Sequence, residues 1–187
     1  ELTEFLPNPH VRETEDGSFE FYEPAESIGK VHGFHGNWLV LLKTYAYISR
    51  LGDGGLKDTS AMAVLNANYL ASQIDLDIPY GPFHHEFVAS AGDVDAAEFA
   101  KGMLDEGVHP PTTKWPEIVD EALMTEPTEA LSKDQLDVLA QAFSETSRKT
   151  PEELSAAPTT TAAARIDQTS AARNPRLSWR DVEDDDE

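Results

Sequence analysis

The hydrophobic pattern is densest between residues 39 and 51, where Leu39, Val40, Leu41, Leu42, Tyr45, Ala46, Tyr47 and Ile48 leave only Lys43, Thr44, Ser49 and Arg50 as polar interruptions. The run reads as a helix ended by Gly52. A helix without a polar face is expected to be buried on all sides. A domain of this size struggles to surround it, so we expect association through it, or cover from polypeptide outside this chain. Residues 54–74 carry a narrower stripe of Leu56, Ala63, Ala67, Leu70 and Ile74 and read as a second helix. Asn66 and Asn68 lie in its middle, where Asn is a poor helix former, as exposed positions or contacts to a neighbouring element.

Around these helices the signals are shorter. Pro7 and Pro9 keep residues 1–26 extended, and Glu15-Asp16-Gly17 marks a turn before a strand at Ser18–Tyr22. His85 to Ser90 suits a short strand. Asp95 caps a third helix with Glu98 at its third position and Ala96, Phe99, Ala100 and Met103 on one face; Gly107 ends it. The prolines of residues 108–119 leave loop with at most short strand, and Ala122 to Glu126 reads as a strand. Ser132 with Gln135 makes a capping box for a fourth helix that buries Leu136, Leu139, Ala140 and Phe143. Residues 158–187 read as an extended tail ending in acids. The order predicts an α+β layer, an antiparallel sheet with helices on one face.

Composition narrows the classes. The 187 residues hold 35 Asp and Glu against 14 Lys and Arg, a formal net charge of -21. That excess argues against binding nucleic acid or anionic lipid through a basic field. The acids are scattered through every segment and lysines number 7, which favours a salt-adapted surface. It competes with a calcium site, for which no D-x-D-x-D-G loop is present, and with a surface for a basic partner. No run reaches the roughly 20 apolar residues of a membrane span, and the absence of Cys points to a cytoplasmic setting. A chain starting at Glu1 is expected to be processed or truncated.

The six His are the first place to look for chemistry. His32 and His35 are three apart, and His84 and His85 adjoin Glu86, yet H-E-x-x-H is absent and we expect no metal site. A nucleophile elbow, a dinucleotide fingerprint and a P-loop are absent too. Gly33-Phe34-His35-Gly36-Asn37 precedes the apolar helix, where free N–H groups and the positive helix end suit a phosphate. A plain helix start with Asn37 as cap accounts for it as well. His84-His85-Glu86, His109-Pro110-Pro111-Thr112-Thr113 and Glu126-Pro127-Thr128-Glu129 are proline-held polar turns able to line a site, or to serve only rigidity and capping.

Taken together, Ser27-Ile28-Gly29, Gly36-Asn37, Ala46-Tyr47-Ile48, Leu51-Gly52, Gly55-Leu56-Lys57 and Val64-Leu65-Asn66-Ala67-Asn68-Tyr69-Leu70 resemble the glycine decarboxylase P-protein family. The similarity continues through His85-Glu86-Phe87, Gly107-Val108-His109-Pro110-Pro111-Thr112, Trp115-Pro116, Leu123-Met124-Thr125-Glu126-Pro127-Thr128-Glu129 and Ala171-Ala172-Arg173-Asn174-Pro175. The resemblance is closest to subunit 2 of the two-subunit form, in a haloarchaeal version. It implies a pyridoxal-phosphate enzyme of the aspartate-aminotransferase fold type, which decarboxylates glycine and passes the aminomethyl group to the lipoyl arm of H-protein. The cofactor is the electron sink, held by a lysine. In the family that lysine follows a His in an H-K-T-type motif upstream of the matched region, and no His-Lys pair occurs here.

The resemblance therefore implies a C-terminal portion of subunit 2, without a catalytic residue of its own and inactive alone. Its partners would be P-protein subunit 1, the lipoyl H-protein and the missing N-terminal portion of subunit 2. Residues 1–35 are expected as a remnant of the large domain, 36–157 as the long interdomain helix and small C-terminal domain, and 158–187 as the tail. His35, Gly36 and Asn37 are implied as cofactor-side residues, although the family commonly has an aromatic at His35. His85, Glu86, His109 and Thr112 are implied to line the cleft or the H-protein approach. The alternative is a non-catalytic assembly or regulatory module that retains the small-domain fold.

Overall fold

The computed structural model describes residues 2–33 and 36–178. They fall into two compact units, Glu1–Gly52 and Asp53–Glu187.

The first unit opens with a 3-10 turn at Thr3–Phe5, followed by a hairpin of β1 (His10–Glu13) and β2 (Phe19–Tyr22). The strands are antiparallel, with Val11 opposite Phe21 and Arg12 opposite Glu20. The Arg12 guanidinium reaches Glu20 at 2.6 Å. In the turn, Asp16 Oδ1 accepts from the Thr14 and Ser18 hydroxyls and from Ser18 N–H, which pulls its carboxyl down to about 2. Helix α1 (Trp38–Gln73) begins here and is broken at Gly52, whose φ of 61° and ψ of -174° leave the helical region. The glycine tolerates that conformation without a Cβ clash, so the two helices expected around it meet there.

Residues 38–50 are all exposed. Trp38 is 77% exposed and Tyr45 71%, and none of the described residues of the first unit is buried. The physical reason is a lack of material, because a lone hairpin and one helix supply no second layer.

The second unit is built on a three-stranded antiparallel sheet, β3 (Phe87–Ser90), β4 (Thr112–Thr113) and β5 (Ala122–Thr125), in the order β3-β5-β4. Phe87 pairs with Thr125 and Ala89 with Leu123, which puts these four side chains on one buried face. Onto that side pack the second half of α1 through Ala67 and Leu70, α2 (Ala96–Asp105) through Phe99 and Met103, and α3 (Lys133–Ser147) through Leu136, Ala140 and Phe143. The Phe99 and Phe143 rings lie 6.1 Å apart. Both expected caps are present: Asp95 accepts from the Ala97 and Glu98 N–H groups, and Ser132 with Gln135 closes a reciprocal box.

A short helix α4 (Pro151–Ala156), absent from the sequence expectation, follows with its own capping box of Thr150 and Glu153. It exists because Gly102 lets it approach α2. A Cβ at Gly102 would lie 2.6 Å from Leu154 Cδ2 and 3.0 Å from Thr146 Cγ2. Gly102→Ala gains about 1 kcal/mol of helix propensity. The clash with two buried side chains costs roughly 1–3 kcal/mol. We expect a net lower melting temperature, and a higher one would show that α4 yields freely.

The tail also departs from expectation, because it is not simply extended. Residues 168–173 form α5 (Gln168–Arg173), capped by Asp167. The segment before it is bound to α2: Arg165 donates to both Glu98 carboxylate oxygens, and Asp105 accepts from the Thr159 and Thr160 N–H and hydroxyl groups. Composition hides this because each partner is far off in sequence. The terminal acids Glu183 to Glu187 lie outside the described residues.

Two of these contacts make stability depend on acid. A hydrogen bond from Lys114 holds Asp95 below the usual carboxylate range, and one from Arg165 does the same for Glu98. Both folded-state values are depressed, so their contribution is complete above the unfolded carboxylate range near pH ~4 and is lost as pH falls through the folded values. The melting temperature in molar KCl is expected to be level from pH 8 to 5 and to drop below about pH 4, less steeply in Glu98→Gln.

Candidate functional site

Helix α1 continues past Gly52 with Thr59, Ser60, Ala63 and Val64 arranged as two i, i+4 pairs, so these side chains form one wall. Facing them are His85, from the turn that leads into β3, and Thr128 with Glu129, from the turn that leaves β5. Together they enclose a cavity of about 310 Å³.

The two mid-helix asparagines explain why the turns are held there. Asn66 is 4% exposed, and its Nδ2 donates to the carbonyls of Thr128 at 2.8 Å and Leu131 at 3.0 Å. Asn68 Nδ2 donates to its own helix at Val64 O, 2.8 Å, and more loosely to His84 O at 3.4 Å. The L-N-A-N-Y and E-P-T-E motifs are thus one structural device, the first gripping the second. The grip fixes Thr128 at a φ of 53°, a conformation an L residue occupies at a cost of about 1–3 kcal/mol. Sequence reasoning missed Thr59, Ser60 and Asn66 as site residues, although a poor helix former in mid-helix was the available signal.

Within the second unit, the expected site residues do not share one cavity. His85 and Glu86 share a second, larger cavity of about 530 Å³ with Tyr80, Phe83, Pro116 and Ile118. His109 lines a cavity of about 250 Å³ with Pro110, Glu126 and Thr128, and an apolar one of about 430 Å³ with Val108, Leu131 and Val138. Thr128, in the Glu126–Glu129 turn, thus lines both the 310 Å³ cavity of His85 and the 250 Å³ cavity of His109. Thr112 lines none of these cavities; it is exposed on β4, paired with Met124. In the first unit, Asn37 Oδ1 accepts from Val40 N–H at 3.3 Å, the geometry of a helix cap, and Gly36 is exposed beside it. His35 lies outside the described residues.

Pyridoxal phosphate requires a lysine amine in a concave site and positive charge for its phosphate. No Lys or Arg lines any of the cavities above. Lys114 is bound to Asp95, Lys133 to Asp137 and Lys149 to Glu106. The N-terminus of α2 is already filled by Asp95 and by the Glu121 carboxylate, which accepts from Ala96 N–H at 2.6 Å. These residues do not make a cofactor site by themselves. What the α1 cavity offers is hydroxyls, one imidazole and one carboxylate, a lining for polar contact. No group of three or more metal-ligating side chains occurs among the described residues.

Residues 59–163 match the family model described as "Glycine dehydrogenase, C-terminal domain". The probable glycine dehydrogenase (decarboxylating) subunit 2 of Halobacterium salinarum is 67% identical over 183 residues, covering 98% of this chain and 39% of that protein. The corresponding protein of Thermoplasma volcanium is 45% identical and covers 95% and 39%. The chain thus spans 39% of the length of these curated relatives. A crystal structure of glycine decarboxylase (P-protein) of the glycine cleavage system, in inhibitor-bound form, superposes with a TM-score of 0.62 at 22% identity, over 76% of this chain and 36% of that one. At that identity the likeness concerns the fold.

Proposed function

Because the chain belongs to the family of glycine dehydrogenase C-terminal domains, we propose that it works as the C-terminal part of subunit 2 of the P-protein, in decarboxylation of glycine and transfer of the aminomethyl group to H-protein. The observation that carries this reading is the grip of Asn66 on the Glu126–Glu129 turn. It ties the L-N-A-N-Y motif to the E-P-T-E motif and holds Thr128 and Glu129 in the wall of the polar cavity.

In this reading the chain shapes the cleft and leaves the covalent chemistry to polypeptide it lacks. Pyridoxal phosphate would be held by a lysine of the N-terminal portion, which, together with subunit 1, completes the enzyme. The same portion is the natural cover for the exposed apolar residues 38–48, whose burial would contribute on the order of 1.5–3 kcal/mol for each large side chain. His85 and Glu129 orient polar groups in the cleft, with Glu86 and His109 on its flanks. His35, Gly36 and Asn37 approach the cofactor side, Asn37 through the helix start it caps. A cytoplasmic location and salt adaptation fit the same reading.

Mutants in the assembled enzyme test it. His85→Ala is expected to lower glycine–bicarbonate exchange by about tenfold, the scale of one lost polar contact in a transition state. Thr112→Ala, outside the described cavities, should stay within about twofold. Equal effects, or none from His85→Ala, would remove the cavity from the proposal and favour the assembly-module alternative.

A further inference from the structure

The segment after α4 carries a role that neither its composition nor the enzymatic reading assigns. Helix α4 has six residues, too few to persist unaided, yet Leu154 within it is 2% exposed and Ala157 at its end 1%. Its last carbonyls are satisfied from a distance. The Arg165 guanidinium donates to Leu154 O and Ala157 O, each at 2.8 Å, while its remaining donors grip Glu98 in the first turn of α2. At the other end of α2, the Asp105 carboxylate takes four hydrogen bonds from Thr159 and Thr160 at 2.7–3.1 Å. Asp105 and Glu98 stand seven residues apart, roughly 10 Å along the helix. The chain between Thr159 and Arg165 therefore runs back over α2 and is fastened at both ends.

We propose that residues 159–165 are a latch that holds α4 on α2 and fixes, at Ile166, the point from which the C-terminal arm leaves the domain. Arg165 is its keystone, serving at once as the C-cap of α4 and the ion-pair partner of Glu98. Lysine cannot substitute, because only the planar guanidinium fork reaches two carboxylate oxygens and two carbonyls together. The latch also suits concentrated salt. The Debye length at 1 M is about 3 Å, so distant charge attraction is screened while direct hydrogen-bonded contacts remain. Beyond it Ile166 is 70% and Leu177 86% exposed.

Limited trypsin digestion of the full chain in molar KCl, followed by mass spectrometry, tests this. Cleavage after Arg165 is compared with cleavage after Arg173 in the exposed arm and after Lys101 inside α2. The wild-type chain is expected to be cut after Arg165 at least about tenfold more slowly than after Arg173, because the latch must first open. Arg165→Lys preserves a trypsin site but loses the fork, and cleavage there should approach the Arg173 rate while Lys101 stays protected. Asp105→Ala should do the same from the other end; if it also exposes Lys101, the helix itself has opened and Arg165→Lys decides. Equal wild-type rates after Arg165 and Arg173 would overturn the proposal, as would protection unchanged in Arg165→Lys.

Discussion

Phe143→Ala is expected to destabilise the second unit by about 3–5 kcal/mol, the cost of removing a fully enclosed aromatic ring. Phe143 is 1% exposed and packs against Phe99, Met103 and Leu123, so it joins α3 to α2 and to the sheet. Three elements fix the walls of the space it fills, which limits collapse into the hole. A domain's whole stability is about 5–15 kcal/mol, so the variant should lose a large part of it. The melting temperature should fall by roughly 10–20 °C in molar KCl. Val138→Ala, on the same helix but 55% exposed, is the control and should stay within about 0.5 kcal/mol. Similar losses in both variants would mean that the packing of α3 is not as described.

Asn66→Leu is the second large effect, and it reaches from stability into the site. The leucine has the same branched skeleton but no donor, so the part-buried carbonyls of Thr128 and Leu131 lose their partner. Each unsatisfied acceptor costs about 1–2 kcal/mol, giving a loss of roughly 2–4 kcal/mol. The strained φ at Thr128 then has nothing to hold it, and the turn should relax away from His85. Asn66→Leu should therefore lower exchange by the assembled enzyme even below the temperature at which it unfolds. Asn68→Leu, with its weaker 3.4 Å contact to His84, should cost less than about 1 kcal/mol. A reversed order would assign the support of the cavity to the wrong asparagine.

These contrasts show what the sequence makes legible. Asp95, Ser132 and Gln135 were readable as caps because capping is local, acting over three or four residues. The buried faces of α2 and α3 followed from their periodicity, and the sheet from short β-prone runs between turn residues. Other features depended on partners remote in the chain. Arg165 meets Glu98 across 67 positions and Asp105 meets Thr159 across 54, and nothing local in an Ala- and Thr-rich tail announces either. Asn66 stands out as a poor helix former in mid-helix, but its partner lies 62 residues on. The candidate site was legible as polar turns, not as cavities. His85 proved to share a cavity with Thr128 and Glu129, whereas His109 faces the other side of that turn and Thr112 stands apart. The apolar helix stands exposed, as its all-round apolar character in so small a domain leads one to expect. Periodicity states what a face requires, and among the described residues none covers it.

We propose that this chain completes a glycine dehydrogenase whose covalent chemistry is carried by other polypeptide. The most direct test replaces the matching part of the haloarchaeal subunit 2 relative with residues 1–187. The chimera is then assayed with subunit 1 and H-protein for exchange of labelled bicarbonate into glycine, beside the chain alone. Exchange by the chimera is expected within about tenfold of the intact relative, and none by the chain alone. A folded chimera without exchange, or exchange by the chain alone, would contradict it.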